Sequence, residues 1–362
     1  MDAKIFTDEN GKLDVLSGLT IGVIGYGNQG RAQALNMRDS GLKIIIGNKK
    51  DEFKKIAEND GFDVFPIDET AKQSDILFLL IPDGIMKEVY ENNIEGNLKE
   101  KGALVFASGY NIAFNIIKPS KNYDILLIAP RMIGKGVRER FLTEEGFYSF
   151  IHAENDASGK ATDILLALSK SIGTLTKGAI DISFKQEAVL DLFNEQAFGP
   201  AFGRVLLTSI YTLIDSGYPK EAVLIEMFMS EEMSYTYKKM AQVGLVKQVD
   251  FHSQTSQYGS MSRGIKFRNL PLKNTMKEIL ENIESGNFAE EWKKKSSKAK
   301  FKFIKFFATK TRINRLEQEV RKKLKMKAID SYDYQEPTIT DPAILMEIKK
   351  ELEKFESYFQ DY

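Results

Sequence analysis

The chain has 362 residues, no cysteine, and equal totals of basic and acidic side chains, 51 Lys+Arg against 51 Asp+Glu. That length suits two domains with a sizeable core, and the charge balance removes any global field for nucleic acid or acidic lipid. Without cysteine there are no disulfides, thiolate nucleophiles or Cys-based zinc sites, which fits a reducing compartment. The opening Met1-Asp2-Ala3-Lys4-Ile5 has no basic-then-apolar pattern, and no apolar run approaches membrane-spanning length. A soluble cytoplasmic protein with no membrane or nucleic-acid partner is therefore expected. The two histidines, His152 and His252, lack ligand spacing and read as surface or packing residues.

From about residue 19 to 150, short apolar runs alternate with amphipathic stretches. Leu19–Ile24 reads as a buried strand, Gln29–Ser40 as a helix stopped by Gly41, and Lys43–Ile46 as a second strand. A helix over Asp51–Asp60 follows. Further strands are expected at Asp75–Ile81, ended by Pro82-Asp83, then at Ala103–Phe106 and at Asp124–Ile128, the last broken by Pro130. Strands alternating with helices of this length predict a parallel sheet with crossover helices. A helix near Ala161–Ser171 and a short apolar segment continue the pattern to about Ile180.

After Phe184 the pattern becomes helical: Gln186–Gln196, Ala201–Ser216, Lys220–Ala241, Leu272–Ser285 and Glu290–Met326. The expected organisation is an α/β dinucleotide-binding domain over 1–181, a helical domain over 182–327, and an extension over 328–362. That extension holds Pro337 and Pro342 and ends in a charged helix, Pro342–Phe359. The lysine run Lys293–Lys305, interleaved with Phe301 and Phe303, reads as a solvated helix with an aromatic face.

Gly25-Tyr26-Gly27-Asn28-Gln29-Gly30 follows a strand and opens a helix, the setting a dinucleotide fingerprint requires. Gly25 permits the tight turn, Gly27 lets backbone approach a pyrophosphate, Gly30 allows close helix–strand packing, and the helix N-terminus offers donors. After the second strand, Gly47-Asn48-Lys49-Lys50-Asp51-Glu52 leaves cofactor choice open. The lysines suit the 2′-phosphate of NADP, an acid suits the ribose of NAD, and the same residues suit an ordinary helix start.

These residues and others resemble the short-form (class I) ketol-acid reductoisomerases. The shared text includes Ile24 to Gly30, Ile81-Pro82-Asp83, Gly109-Tyr110-Asn111-Ile112, Ala129-Pro130, Gly134, Val137-Arg138 and Asp156-Ala157-Ser158-Gly159-Lys160. It continues with Asp191-Leu192-Phe193-Asn194-Glu195-Gln196, Ser253, Thr255, Tyr258-Gly259 and Gly286-Asn287-Phe288-Ala289-Glu290-Glu291-Trp292, in consistent order from about residue 3 to 327. The resemblance implies a Rossmann-type domain followed by a knotted, dimeric all-α domain. It also implies a magnesium-dependent alkyl shift of acetohydroxyacids and reduction by NADPH or NADH. Tyr26, Asn28, Gln29, Lys49, Pro82, Asp83, Ser108 and Gly134 join the glycines as cofactor-site candidates.

Two Mg²⁺ ions would polarise the substrate's oxygens, which calls for hard carboxylate ligands. Asp191 and Glu195, spaced i,i+4, project from one helix face and match the family's first acidic pair. The second pair, contributed by the partner subunit in the family, is not intact: one register gives Glu226 with Ser230, the other Phe228 with Glu232. Only a distortion in that helix could present Glu226 and Glu232 together. Asp191, Glu195 and Glu226 are thus the magnesium candidates, and Ser253 matches the substrate-carboxylate serine. Ser108 replaces a family histidine, and Arg131 a family lysine, an exchange of a compact ammonium for a planar fork. Met132-Ile133-Gly134-Lys135-Gly136 alters the following loop. The expected function is a reductoisomerase-like oxidoreductase on an acetohydroxy or 2-oxo acid. The alternatives are a paralogue reducing another 2-oxo acid, carbonyl or imine without isomerisation, and a silent dinucleotide-binding protein.

Overall fold

The computed structural model describes residues 2–308, 310–326 and 346, so the expected helix Pro342–Phe359 and nearly all of 328–362 lie outside the described residues. Two compact units divide between Asp191 and Leu192.

The first unit is built on nine strands: β1 (Ile5–Phe6), β2 (Thr20–Ile24), β3 (Lys43–Gly47), β4 (Val64–Phe65), β5 (Ile76–Leu79), β6 (Ala103–Phe106), β7 (Asp124–Pro130), β8 (Ser149–Asn155) and β9 (Ala179–Asp181). Their order is β1-β9-β8-β7-β6-β5-β2-β3-β4. The helices are α1 (Asn28–Asp39), α2 (Glu52–Asn59), α3 (Ile67–Gln73), α4 (Asp83–Val89), α5 (Tyr110–Ala113), α6 (Gly134–Leu142), α7 (Ala161–Ile172) and α8 (Phe184–Phe193).

Strands buried on both faces must be apolar at successive positions, and these are. Ile76, Phe78, Val105, Leu126 and Ile128 enter one core with Met37 of α1, Val137 of α6 and Leu165 and Leu168 of α7. Their neighbours Leu77, Leu79, Leu104, Phe106, Ile125 and Leu127 enter the other with Ala71 of α3, Met86 of α4 and Phe184 of α8. The period of two along each strand assigns the faces, and full burial of each such side chain contributes roughly 1.5–3 kcal/mol.

The sheet is mixed, which corrects the expected parallel sheet. β2 to β7 run parallel, but β8 pairs antiparallel with β7, Pro130 opposite Ser149, and β1 pairs antiparallel with β9. The cause lies in the connection after β7. It passes through α6, which packs on α1, and re-enters the sheet at the end it left, so β8 runs back. Pro130 closes β7 rather than breaking it, since a terminal position loses least from a missing N–H.

The second unit holds α9 (Gly199–Asp215), α10 (Lys220–Leu224), α11 (Glu232–Val243), α12 (Gln254–Gly264), α13 (Leu272–Glu284), α14 (Asn287–Trp292), α15 (Lys295–Ala308) and α16 (Arg312–Lys323). Four expected helices differ. The two expected over Gln186–Gln196 and Ala201–Ser216 form one run from Phe184 to Asp215, joined by a π turn at Asn194–Phe198. That run is long and apolar enough to cross a membrane by length and composition, contrary to the reading that no segment approaches that length. The expected Lys220–Ala241 helix is broken by a π turn at Ile225–Met229 and by Glu231 at φ +63°. The expected Glu290–Met326 helix resolves into α14, α15 and α16.

The unit's buried cluster is small: Ile210, Tyr211, Val223, Leu224 and Val320. Arg312 reaches Asp215 at 2.6 Å and lies over the Tyr211 ring, while Lys220 pairs with Glu319 and Lys323 with Glu221.

In the first unit a polar clasp fixes the turn after β2. Asp60, beyond α2, accepts from Arg31 Nε at 2.7 Å, Arg31 Nη2 at 3.0 Å and the Tyr26 hydroxyl at 2.9 Å. Hydrogen bonding from Arg31 holds the Asp60 carboxyl below its ordinary range, and burial pushes the Tyr26 hydroxyl up. A depressed carboxyl pKa contributes stability above the ordinary carboxylate range, lost as pH falls through the folded value. Asp60→Asn should therefore cost about 1–2 kcal/mol at pH 7 by urea denaturation. The difference from the unsubstituted chain should shrink toward pH 3; a pH-independent difference would show that charge is not what the clasp uses.

Candidate active site

The loops after β2, β5, β6 and β7 all leave the carboxyl ends of neighbouring parallel strands. β2 lies between β3 and β5, where the strand order reverses, the usual crevice for a dinucleotide. Gly25 has φ +92°, and a Cβ there would lie 2.6 Å from the Leu80 carbonyl oxygen. A Cβ on Gly30 would lie 2.0 Å from the Gly25 carbonyl oxygen, so that glycine seats α1 against the turn. Gly27 differs: no protein atom lies within 4 Å of its would-be Cβ, which leaves backbone open to a ligand. Gly27 caps α1, whose first N–H groups face outward past it. This cradle fits a pyrophosphate.

The remaining cofactor candidates divide by what holds them. The Tyr26 side chain is buried against Phe62, so its backbone alone faces the turn's open side. Gln29 donates from Nε2 to the Met132 carbonyl at 2.8 Å, and a Cβ on Gly134 would lie 2.0 Å from the Asn28 carbonyl oxygen. Gly134 thus lets α6 close on the glycine turn. Pro82 caps α4, and Asp83 Oδ1 accepts from Asn111 Nδ2 at 2.8 Å. Ser108 Oγ accepts the Tyr110 amide at 3.3 Å. Beyond β3, Asp51 caps α2, accepting from the amides of Phe53 and Lys54 and from Asn48 Nδ2. Lys49 is 79% exposed, 3.7 Å from Asp51. The acid is occupied with the helix start, and the lysines stand outward.

Arg131 follows β7 and makes the densest polar contacts in this region. Its Nη2 donates to Glu187 Oε1 and its Nη1 to Asp191 Oδ1, both at 2.8 Å, while Nε donates to the Ala129 carbonyl at 3.3 Å. The guanidinium also lies 4.9 Å from the Phe150 ring centre. Glu187 is fully buried and its Oε2 accepts the Gly109 amide at 2.6 Å. Burial pushes its carboxyl up, and the Arg131 charge and the Gly109 N–H pull it back. Glu187 and Gly109 escaped the sequence reading of the site. Their signal is present: Glu187, Asp191 and Glu195 repeat every four residues along one helical face. Gly109 is obligatory, because a Cβ would lie 2.2 Å from the Phe184 carbonyl oxygen.

In the second unit, Glu195 lies in the π turn at Asn194–Phe198 and Glu226 in the one at Ile225–Met229. Such turns frequently mark functional positions in helices. The helix is interrupted between Glu226 and Glu232, by the π turn and by Glu231 at positive φ. Ser253 caps α12, its Oγ accepting the Ser256 amide at 3.3 Å, so the helix N-terminus beside it suits an anion. His152 Nδ1 lies 2.8 Å from Asp181, a structural pairing on the sheet. Among the described residues no three acids or histidines stand close enough together to hold a metal ion. Asp191, moreover, already carries the guanidinium, so the single chain does not fit magnesium as it stands.

The two glycines should separate folding from binding. Gly27→Ala is expected to leave the melting temperature within a few degrees yet weaken dinucleotide affinity at least about tenfold by calorimetry. Gly30→Ala, with backbone in its way, should lower stability by about 2 kcal/mol or more. Equal stability losses would contradict the assigned roles.

Comparison with known proteins agrees across both units. Residues 15–178 match the family model described as acetohydroxy acid isomeroreductase, NADPH-binding domain, and residues 184–326 that of ketol-acid reductoisomerase, C-terminal domain. The chain is 40% identical over 289 residues to a ketol-acid reductoisomerase (NADP(+)) of Petrotoga mobilis, covering 79% of this chain and 87% of that protein. It is 37% identical over 292 residues to one of Sulfurisphaera tokodaii, covering 80% and 87%. The solved structure of an NADH-preferring ketol-acid reductoisomerase from an uncultured archaeon superposes with a TM-score of 0.82 at 31% identity, over 90% of this chain and 100% of that one. With its dinucleotide cradle, its helical second unit and these matches along nearly all the described residues, the chain belongs to the ketol-acid reductoisomerase family.

Proposed function

We propose that the chain converts an acetohydroxyacid, in the branched-chain amino-acid route, by alkyl migration and NAD(P)H-dependent reduction. The supporting observation is the pairing of Arg131, on the loop after β7, with Asp191; the next residue of that loop, Met132, accepts a hydrogen bond from Gln29 of the glycine turn. The functional domains in this reading are 1–181 and 182–327.

The residues divide the work. Gly25, Gly27, Gly30 and the start of α1 bind pyrophosphate, and Lys49 receives the 2′-phosphate, which favours NADPH because Asp51 is engaged as a cap. Ser253 and the first amides of α12 hold the substrate carboxylate. Arg131 polarises the substrate's oxygens by hydrogen bonds from its fork. Asp191 and Glu195, with Glu226 from a second copy, are the acids that would hold magnesium and its Lewis-acid chemistry once the guanidinium leaves Asp191.

A homodimer is supported by the exposure of the second unit, and the knotted helical domain rests on the family resemblance alone. Phe202, Val205, Leu245, Val246, Phe251 and Tyr258 are exposed while its buried cluster is small. Apolar surface on that scale calls for a partner copy, and it accounts for the long apolar run from Phe184 to Asp215 without a membrane. The cytoplasm, where the nicotinamide cofactors circulate, is the proposed compartment.

NADPH and NADH oxidation, measured with 2-acetolactate and with 3-hydroxy-3-methyl-2-oxobutanoate in the presence of Mg²⁺, tests this. Turnover of both acids, faster with NADPH, is expected. Turnover of the second acid alone would show reduction without isomerisation, and turnover of neither would overturn the assignment.

A further inference from the structure

We propose that Arg131 is a resident counter-cation at Asp191, so that a divalent ion takes Oδ1 of this carboxylate, alone or with the second oxygen, only when the guanidinium is released. The inference rests on the reading of Asp191 as a metal-site acid, and it concerns this chain's own departure from the family lysine.

Three observations hold the arginine in place. Its fork is divided between two carboxylates on one helical face, Glu187 and Asp191, at 2.8 Å each. Glu187 is fully buried and fixed from behind by the Gly109 amide at 2.6 Å, so the anchor cannot swing away. Nε is tied to the Ala129 carbonyl and the guanidinium plane is supported by Phe150. Release would strand a buried carboxylate without its cation, which is costly. Asp191 is the looser end: its side chain is 41% exposed against 26% for Arg131, and one oxygen takes the whole contact.

A metal ion at that oxygen would have to displace an N–H donor and stand beside a positive charge that does not deprotonate. Lysine in the same place would behave differently. Its compact ammonium on a flexible stem can serve Glu187 alone and leave Asp191 to the metal. The arginine therefore trades divalent-ion affinity for a permanently neutralised acid.

Mn²⁺ binding, followed by electron paramagnetic resonance on the full chain without substrate, reads this directly and does not depend on turnover. Arg131→Lys keeps the charge but withdraws its N–H donor from Asp191 Oδ1, and should tighten Mn²⁺ at least about tenfold. Adding Asp191→Asn to that variant should erase the gain. In the otherwise unsubstituted chain, Asp191→Asn should change Mn²⁺ affinity by less than about threefold, because the carboxylate is already occupied. A folded Arg131→Lys with unchanged Mn²⁺ affinity would overturn the proposal. So would a tenfold loss from Asp191→Asn alone, an arm that decides the question even where Arg131→Lys fails to fold. Acetohydroxyacid turnover can fail without altering these affinities, which keeps the two readings separable.

Discussion

The ion pair between Arg131 and the buried Glu187 is the constraint on which the rest of the candidate site depends. A fully buried carboxylate needs a cation and hydrogen-bond donors, and this one has both: the guanidinium on one oxygen and the Gly109 amide on the other. Through those two bonds α8 is tied to the loop after β6 and to the end of β7. This joint sets the position of Asp191, while the glycine turn is held separately by the bonds of Tyr26 and Arg31 to Asp60. The second constraint is steric. Gly25, Gly30, Gly109 and Gly134 each sit where a Cβ would strike backbone, and together they let α1, α6 and α8 approach the strand ends.

Much of this was legible in the sequence because its signals are local. The glycine turn, the strand β2 before it and the helix α1 after it are fixed by neighbours in the chain, and their predicted positions agree with the structure to within a residue. The alternation of apolar side chains in β5, β6 and β7 likewise reports two-sided burial. What escaped is non-local. The antiparallel return of β8 depends on α6 packing against α1 rather than crossing the sheet. Glu187 looks like one more surface acid until the fold places Gly109 and Arg131 around it. Asp51 could not be separated from a ribose ligand by spacing alone; its bonds to Phe53, Lys54 and Asn48 are what identify the cap.

The helical unit shows a different limit. A period of 3.6 residues is insensitive to a single π turn, so the Lys220–Ala241 segment reads as one helix, whereas Gly199-Pro200 makes the continuous run from Phe184 to Asp215 read as two. In the Lys220–Ala241 segment the interruptions are the π turn at Ile225–Met229 and the positive φ of Glu231, neither of which changes the apolar period. Membership of the reductoisomerase family is carried by both units. Arg131 stands where the resemblance implies a lysine, and a planar, always-charged fork differs there from a compact ammonium.

The joint is tested most directly by a double-mutant cycle on stability, Arg131→Met against Glu187→Gln, with the glutamine retaining an acceptor for Gly109. Urea denaturation at pH 7 should show Arg131→Met costing about 3 kcal/mol in the original background and about 1 kcal/mol or less beside Glu187→Gln, a coupling of roughly 2 kcal/mol. Additive costs, with coupling below about 0.5 kcal/mol, would contradict a site organised around this pair.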